Sequence, residues 1–397
     1  MQGRRKRDWS LWIKAVFGLL LAVPALGGAA APATPALKDP GPPFIVLCYH
    51  RFLAKPDDAE KEAQAQYQLP LAEFKWQMQY LKDKGFTPIS SQELKDHWFQ
   101  GKPLPLKPVL ITFDDGFRSV YRDAFPVIQK EKIPTVFFLY TKFIAYGEAA
   151  LKRRMEGKEK NVKTNKKTDA LHDADMLEMQ KSDMDFESHT TNHLNLGLES
   201  EKVPAAEFAT LLESELDEPV TFIENRFGKK PTMLAYPYGV YSPRILEQVK
   251  KSGYELAFTV NPGPNDRSID PLKLRRNLVL YPISHEKFAE IFQDGVLHLE
   301  NLSPGDGEEI VTDKPLFQAT LKDDIDPKTL EMQLGPDKLK TSFDPATHIL
   351  THQLTKPITH GGHMVTLAGV DKAGQRRVYT WYFRIKHHHP EKVGASK

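Results

Sequence analysis

The chain has 397 residues, with 54 lysines and arginines against 52 aspartates and glutamates and a formal net charge of +2 at pH 7. Hydrophobic residues make up 40% of the sequence, which allows a large core and excludes a wholly disordered or collagen-like chain. A single cysteine, Cys48, excludes an internal disulfide and a thiolate metal cluster. The charges are balanced, which argues against a nucleic-acid-binding protein, and no nucleic-acid partner is expected.

The first 31 residues have the order of a secretory signal peptide. Basic residues at 4–7 precede an apolar run over 11–26, and small residues follow. The apolar run is interrupted by a lysine and a proline and is short for a membrane span, so we expect cleavage near Ala30 and no stable span afterwards; an uncleaved anchor is the alternative. The sequence therefore predicts an exported protein of the periplasm, cell envelope or extracellular space. Residues 32–43, rich in proline, predict an extended lead-in.

Residues 44–296 alternate short apolar runs with helical patterns. The runs are bounded by Gly, Pro, Asp or Asn, as buried parallel strands are. They are Phe44–Tyr49, Val109–Phe113, Thr135–Tyr140, Met233–Tyr236, Leu256–Val260 and Asn277–Tyr281. Between them, residues 71–84 have the period of an amphipathic helix, Ser90 with Glu93 predicts a capping box, and Ser242 before a proline predicts a helix start. Repeated βα units predict an α/β fold with a parallel sheet or barrel, and with function at the C-terminal ends of its strands.

The composition changes after residue 296. Residues 297–310 are rich in Asn, Ser, Pro, Gly and acids, which predicts a linker. Apolar residues then alternate with period two, separated by turn signals, so residues 311–386 predict a small antiparallel β-sandwich. This region resembles bacterial immunoglobulin-like modules, and we expect it to be either a spacer or polymer contact, or a stabilising cap. Residues 387–397 predict a polar tail.

Two adjacent carboxylates directly follow one of the predicted strands. Asp114, Asp115 and Gly116 could form a simple Asp-Gly turn, but a single carboxylate would suffice for that turn. Two like charges at the end of a buried strand are costly unless a cation or a catalytic task uses them. The pair is therefore a candidate functional site.

A pair of histidines follows another strand-like segment. His189 and His193 are four residues apart and could bind one metal ion, although His348 and His352 share this spacing within the alternating C-terminal region. With the upstream carboxylates, the first pair supplies one carboxylate and two imidazoles for a divalent ion with open positions for water. The second carboxylate is then left as a general base. The segment Ala235-Tyr-Pro-Tyr-Gly ends a further strand, where aromatic rings could contact a sugar.

These motifs resemble a known family in order and spacing. Residues 112–116, 189–193 and 236–239 resemble the polysaccharide deacetylases with a NodB-homology domain, which form carbohydrate esterase family 4. The resemblance covers residues 42–296. It is nearest to the branch that deacetylates poly-β-1,6-N-acetylglucosamine in biofilms, which Leu47-Cys-Tyr-His and Arg276-Asn-Leu-Val also resemble.

The resemblance implies a distorted (β/α) barrel with a divalent metal, expected to be Zn²⁺, held by Asp115, His189 and His193. Asp114 matches the catalytic base of the family. The general acid has two candidates, which are His285, nearest in order, and His50. The predicted substrate-binding residues are His50, Tyr236, Pro237, Tyr238 and Gly239, and the backbone N–H of Tyr238 matches the position that helps hold the oxyanion. The common pattern has an arginine where this chain has Ala235.

The sequence thus predicts a metal-dependent hydrolase that removes N-acetyl groups from an amino-sugar polysaccharide, with poly-N-acetylglucosamine as the expected substrate. Peptidoglycan, chitin and acetylated xylan are alternative substrates of the same chemistry. A non-catalytic carbohydrate-binding protein on the same barrel is the alternative of another class. The complete set of two aspartates and two histidines argues against that alternative.

Overall fold

The computed structural model describes residues 20–21, 40–53, 65–156, 170–182 and 184–386. Three predicted segments lie wholly or mostly outside these ranges. They are the signal peptide, of which two residues are described, the proline-rich lead-in, of which only residues 40–43 are described, and the polar tail. Within them, no helix combines the length and the apolar character needed to cross a membrane.

The centre of the N-terminal part is an eight-stranded parallel sheet. Its strands are β2 (Ile45–Tyr49), β5 (Thr87–Ile89), β6 (Pro108–Asp115), β7 (Thr135–Leu139), β8 (Met184–Ser188), β9 (Met233–Ala235), β10 (Leu256–Phe258) and β11 (Asn277–Leu278). They are arranged in the order β10-β9-β8-β7-β6-β2-β11, with β5 beside the start of β6. Leu274 bridges to β10, and β11, a few residues later, pairs with β2. One segment therefore contacts both β10 and β2. The sheet, which the alternating pattern predicted to be parallel, is curled into a half-barrel. A separate two-stranded sheet joins β3 (Arg51–Leu53) to β4 (Gln68–Pro70).

Helices cover the sheet. They are α1 (Leu71–Asp83), α2 (Ser91–Gln100), α3 (Phe125–Glu131), α4 (Thr141–Met155), α5 (Asp173–Met179), α6 (Leu196–Glu199), α7 (Ala205–Phe227), α8 (Pro243–Lys251) and α9 (His285–Glu290). Helix α1 begins at the predicted residue and buries Phe74, Met78 and Leu81. The predicted capping box of Ser90 and Glu93 starts α2, and Ser242 caps α8.

The C-terminal part consists of two sheets. Its strands are β12 (Gly295–Val296), β13 (Leu299–Ser303), β14 (Glu309–Ile310), β15 (Leu316–Leu321), β16 (Glu331–Leu334), β17 (Asp337–Lys340), β18 (Ser342–Asp344), β19 (Ile349–Gln353), β20 (Gly361–Val370) and β21 (Arg376–Ile385). The longer strands pair antiparallel, while β12 and β14 pair with β21 in parallel. One sheet has the order β17-β16-β20-β21-β12, with β14 beside β21, and the other has the order β13-β15-β19-β18. A two-residue strand, β1 (Leu20–Leu21), pairs with β17.

The two C-terminal sheets share one core, because Phe317 and Leu350 of one sheet belong to the same buried cluster as Leu367 and Trp381 of the other. The structure corrects one expectation. Residues 297–310, predicted as a linker, contribute strands β13 and β14, because their apolar side chains pack against this core even though turn-forming residues surround them.

The C-terminal sheets lie directly against the α/β part. Arg384 of β21 donates to Glu201, which follows α6, at 2.8 Å. The ring of His298 lies between Asp266 of the α/β part and Asp323 of the C-terminal part, at 2.9 Å from each. The two parts are therefore joined by buried and half-buried charge pairs.

Candidate metal centre and catalytic site

The candidate site is formed where neighbouring parallel strands end. Asp114 and Asp115 end β6, His189 follows β8 and Tyr236 follows β9. The carboxyl ends of parallel strands lie along one edge of a sheet, so residues distant in sequence meet there. Asp115 has a φ of 72°, a left-handed conformation that is uncommon for aspartate and typical of functional positions.

Asp115, His189 and His193 form the candidate metal centre. One ligand atom from each lies within 4.8 Å of the others. Oδ1 of Asp115 is 3.6 Å from Nε2 of His189 and 3.3 Å from Nε2 of His193. This Oδ1 is buried and has no hydrogen-bond partner among the described residues, which fits a carboxylate oxygen placed to bind a cation. The donor set of two imidazoles and one carboxylate is one that hydrolytic Zn²⁺ sites use.

The orientation and protonation of His189 suit a metal ligand. Its Nδ1 lies 2.7 Å from the carbonyl oxygen of Ala235, so Nδ1–H donates to that carbonyl and leaves the lone pair of Nε2 directed at the cluster. Burial lowers the pKa of His189 to about 4, so the ring is neutral at physiological pH.

Helix α7 holds the loop from His189 to His193 in place through hydrogen bonds. Glu215, which is fully buried, accepts a hydrogen bond from the backbone N–H of Asn192 at 2.9 Å and another from its side chain. Thr191 donates to the carbonyl of Ser214 through its hydroxyl. His193 has a φ of 54°, so the loop reaches the second ligand through a left-handed residue. Contacts from helix α7 therefore fix the turn that brings the two predicted ligands, His189 and His193, together.

Asp114 is held by an arginine that the sequence motifs did not assign to the site. Nη1 and Nη2 of Arg276 donate to Oδ1 and Oδ2 of Asp114 at 2.6 and 2.7 Å. Burial alone would raise the pKa of Asp114, but the charge of Arg276, its hydrogen bonds and the neighbouring imidazoles together outweigh burial and hold this pKa well below the usual range. Burial also raises the pKa of the Cys48 thiol, which stays protonated and lies 3.4 Å from Oδ2 of Asp114. Asp114 is therefore ionised at neutral pH. Arg276 supplies a guanidinium to the site, whereas position 235, where the common pattern has an arginine, is an alanine in this chain.

His50 and the ring of Tyr238 lie beside the cluster. A nitrogen of His50 lies within 4.8 Å of ligand atoms of Cys48 and Asp114. Nδ1 of His50 is buried and has no hydrogen-bond partner in the described part of the chain, and burial lowers the pKa of this ring. The ring of Tyr238, about half exposed, lies 4.9 Å from the ring of His193.

The remaining four predicted site residues lie outside the cluster, at the start of α9, in the core or in the turn beside the cluster. His285 begins α9, stacks on Trp76 and contacts Glu73 of α1, so the structure does not bring it to the cluster. Tyr236 is fully buried and its hydroxyl donates to the carbonyl of Leu272, so its ring belongs to the core. The other two, Pro237 and Gly239, are buried residues of the turn that carries the exposed Tyr238.

Comparison with known proteins gives relatives of the α/β part of the chain. A family model described as polysaccharide deacetylase matches residues 101–257. The YxkH protein of Bacillus subtilis is 28% identical over 222 residues, which are 56% of this chain and 69% of that protein. The poly-beta-1,6-N-acetyl-D-glucosamine N-deacetylase of Staphylococcus aureus is 27% identical over 207 residues, half of this chain and 65% of that enzyme, just under two thirds. Residues 101–257 of the chain therefore form a domain of the polysaccharide deacetylase family. Members of this family are hydrolases that act on amide C–N bonds.

Solved structures support the fold of this deacetylase domain. A deacetylase of Streptococcus pyogenes, PplD, aligns with a TM-score of 0.51 at 22% identity over 64% of this chain and 99% of that chain. A de-N-acetylase of Aggregatibacter actinomycetemcomitans aligns with a TM-score of 0.53 at 20% identity over 63% of this chain and all of that chain. At these identities the likeness concerns the fold alone.

Proposed function

We propose that the chain removes N-acetyl groups from an amino-sugar polysaccharide with a divalent metal held by Asp115, His189 and His193. The observation that carries this proposal is the convergence of these three side chains beside an ionised carboxylate, Asp114, that is not one of them. When bound, the ion supplies Lewis-acid activation of water and of the acetamide carbonyl. The set fits Zn²⁺, which we propose as the ion.

The residues of the chain have distinct tasks in this hydrolysis. The Asp114 carboxylate accepts the proton of the attacking water, and Arg276 keeps that carboxylate ionised and oriented. The backbone N–H of Tyr238 donates to the oxyanion that develops on the acetyl carbonyl. His50 lies beside Asp114, so it is placed to pass the proton that Asp114 accepts from water to the leaving amine, whereas His285 contacts α1.

The proposed substrate is poly-N-acetylglucosamine, which would give the protein a role in biofilm. Support comes from the staphylococcal relative named for this polymer and from the half-exposed Tyr238 ring beside the candidate metal centre. Peptidoglycan, chitin and acetylated xylan are the competing substrates.

The test is acetate release from each polymer, measured before and after treatment with a chelator and after adding back Zn²⁺. We expect release from poly-N-acetylglucosamine that stops on chelation and returns with the metal. Glycan binding that is unaffected by chelation, with no acetate released from any polymer, would favour the carbohydrate-binding alternative. Release from peptidoglycan or chitin alone would keep the amide hydrolysis and change the substrate, whereas release from acetylated xylan alone would mean that the bond cleaved is an ester.

We also propose that the protein is exported, which rests on the basic, apolar and small-residue order of its first 31 residues. N-terminal sequencing of the chain recovered outside the cytoplasm should begin close to residue 31. For the C-terminal part, covering about residues 311–386, we propose an immunoglobulin-like sandwich, supported by two largely antiparallel sheets that share a core.

A further inference from the structure

Arg275 and Arg276 are adjacent, both are buried, and their side chains contact different parts of the molecule. Arg276 reaches into the site and forms the paired hydrogen bonds to Asp114. The guanidinium of Arg275 lies 3.9 Å from the centre of the Tyr379 ring, and its Nε donates to the carbonyl of Thr380 at 3.3 Å. Both of these partners belong to β21 of the C-terminal sheets.

The backbone of this arginine pair is also fixed. Asn265 accepts from the N–H of Arg275 at 2.7 Å and donates to its carbonyl at 2.9 Å, while the N–H of Arg276 donates to the carbonyl of Asn261. A second nitrogen of Arg275, Nη1, donates to the carbonyl of Pro264. A cation in this position is costly to bury, and these carbonyls and the Tyr379 ring compensate it.

We propose that Arg275 is a positioning residue through which the C-terminal sheets hold Arg276 on Asp114. The backbone links the two arginines directly, so a displacement of Arg275 moves the guanidinium that keeps the base in place. The C-terminal part is then required for the chemical step itself, in addition to any role as a spacer, polymer contact or stabilising cap. This inference rests on the proposed deacetylation, with Asp114 as the base.

Other contacts of the same interface provide a control. Arg384 of β21 is also buried and also pairs across the interface, with Glu201, but neither residue is adjacent to Arg276. Substituting Arg384 therefore removes another buried arginine contact across the same interface without disturbing the arginine that holds Asp114. Metal affinity is a second control, because the three candidate ligands lie on other segments.

The experiment compares Arg275→Met, Tyr379→Leu and Arg384→Met in the full chain loaded with Zn²⁺. Acetate release is assayed at a temperature where each variant is shown to be folded by its thermal unfolding curve. We expect kcat to fall about tenfold or more in Arg275→Met with KM within about twofold, because a small misplacement of a catalytic group lowers the rate of the chemical step. The kcat of Tyr379→Leu should fall less, and Arg384→Met should keep the wild-type kcat. Arg275→Lys should recover only part of the kcat lost in Arg275→Met, because lysine keeps the cation but lacks the planar guanidinium. Zn²⁺ affinity should be unchanged in all four variants.

A folded Arg275→Met that keeps the wild-type kcat would overturn the proposal, as would an equal loss of kcat in Arg384→Met. A loss seen in KM alone would also overturn it. A wild-type chain that releases no acetate from any of the polymers tested would instead contradict the proposed function, so the two failures are distinguishable.

Discussion

Glu215 accepts hydrogen bonds from both the backbone and the side-chain amide of Asn192, which lies in the loop between His189 and His193. A buried carboxylate on helix α7 therefore fixes the turn that brings the two candidate ligands together. Glu215 is not among the three candidate ligands and acts on the site through Asn192.

Replacing Glu215 by glutamine should weaken metal binding. Glutamine keeps the size of the side chain but loses the charge and places an amide donor among groups that need an acceptor. We expect the affinity for Zn²⁺ to fall by about tenfold, as is typical when residues that support metal ligands are changed. Titration with Zn²⁺ measures this directly. Glu187→Gln is the control, because Glu187 is also buried but accepts from the backbone of Thr232 and Met233; equal affinity losses in both variants would contradict the role of Glu215.

Substituting the proposed base should separate catalysis from metal binding. Asp114→Asn is expected to lower kcat by at least about 100-fold, because asparagine cannot accept the proton of water. Zn²⁺ affinity should stay within a few-fold of that of the wild type, since Asp114 is not a candidate ligand. Acetate release and Zn²⁺ titration on the same preparation provide the measurement, and substantial activity in this variant would reject Asp114 as the base.

The same substitution should destabilise the fold. Asp114→Asn leaves the buried Arg276 without its anionic partner, which typically costs about 3–5 kcal/mol. A double variant, Asp114→Asn with Arg276→Met, should recover part of the lost unfolding free energy and none of the activity. Thermal and denaturant unfolding of the two variants would show whether this coupling exists.

His189→Ala is expected to abolish both Zn²⁺ binding and acetate release, because a candidate ligand is removed. His285→Ala is the matched control, since His285 is half exposed and contacts helix α1 rather than the cluster. We expect that control to keep Zn²⁺ affinity and most of the activity. Stoichiometric, tight Zn²⁺ binding by His189→Ala would contradict the assigned centre.

The sequence predicted those parts of the site that depend on patterns of residues close together in the sequence. The apolar run before Asp114 and Asp115 predicted a strand ending in carboxylates, and the structure has that strand as β6. Spacing alone would not have selected His189 and His193, because His348 and His352 share it and are in neither of the possible ligand groups found in the described residues. The position after a parallel strand is what distinguishes the first pair.

The remaining features depend on contacts between distant segments. Arg276 is 162 residues from Asp114 in sequence, so no local pattern reports their pairing. His285 is predicted as a general acid from its order along the chain. That order does not indicate where the start of helix α9 lies relative to the site. Tyr236 and Tyr238 have the same chemistry, and only the left-handed turn at Tyr238 determines which ring is exposed.

His298 should make the stability of the protein depend on pH in the alkaline range. Its hydrogen bonds to Asp266 and Asp323 raise the pKa of His298 to about 9, above its value of about 6.5 in an unfolded chain. A pKa raised in the folded state adds stability that is fully present below the unfolded value and is lost as pH rises through the folded value. The contribution of His298 should therefore be complete below about pH 6.5 and should disappear above about pH 9.

Comparing the thermal unfolding of the wild type and of His298→Gln across this range tests the prediction. The difference in Tm should be largest near pH 6 and should shrink through about pH 9, because above that pH the wild-type imidazole no longer carries the charge that both aspartates bind. His285→Gln, a substitution at a half-exposed histidine, should follow the wild-type curve. A Tm difference for His298→Gln that stays constant over the range would mean that the ring stabilises the junction by packing or neutral hydrogen bonding rather than by its charge.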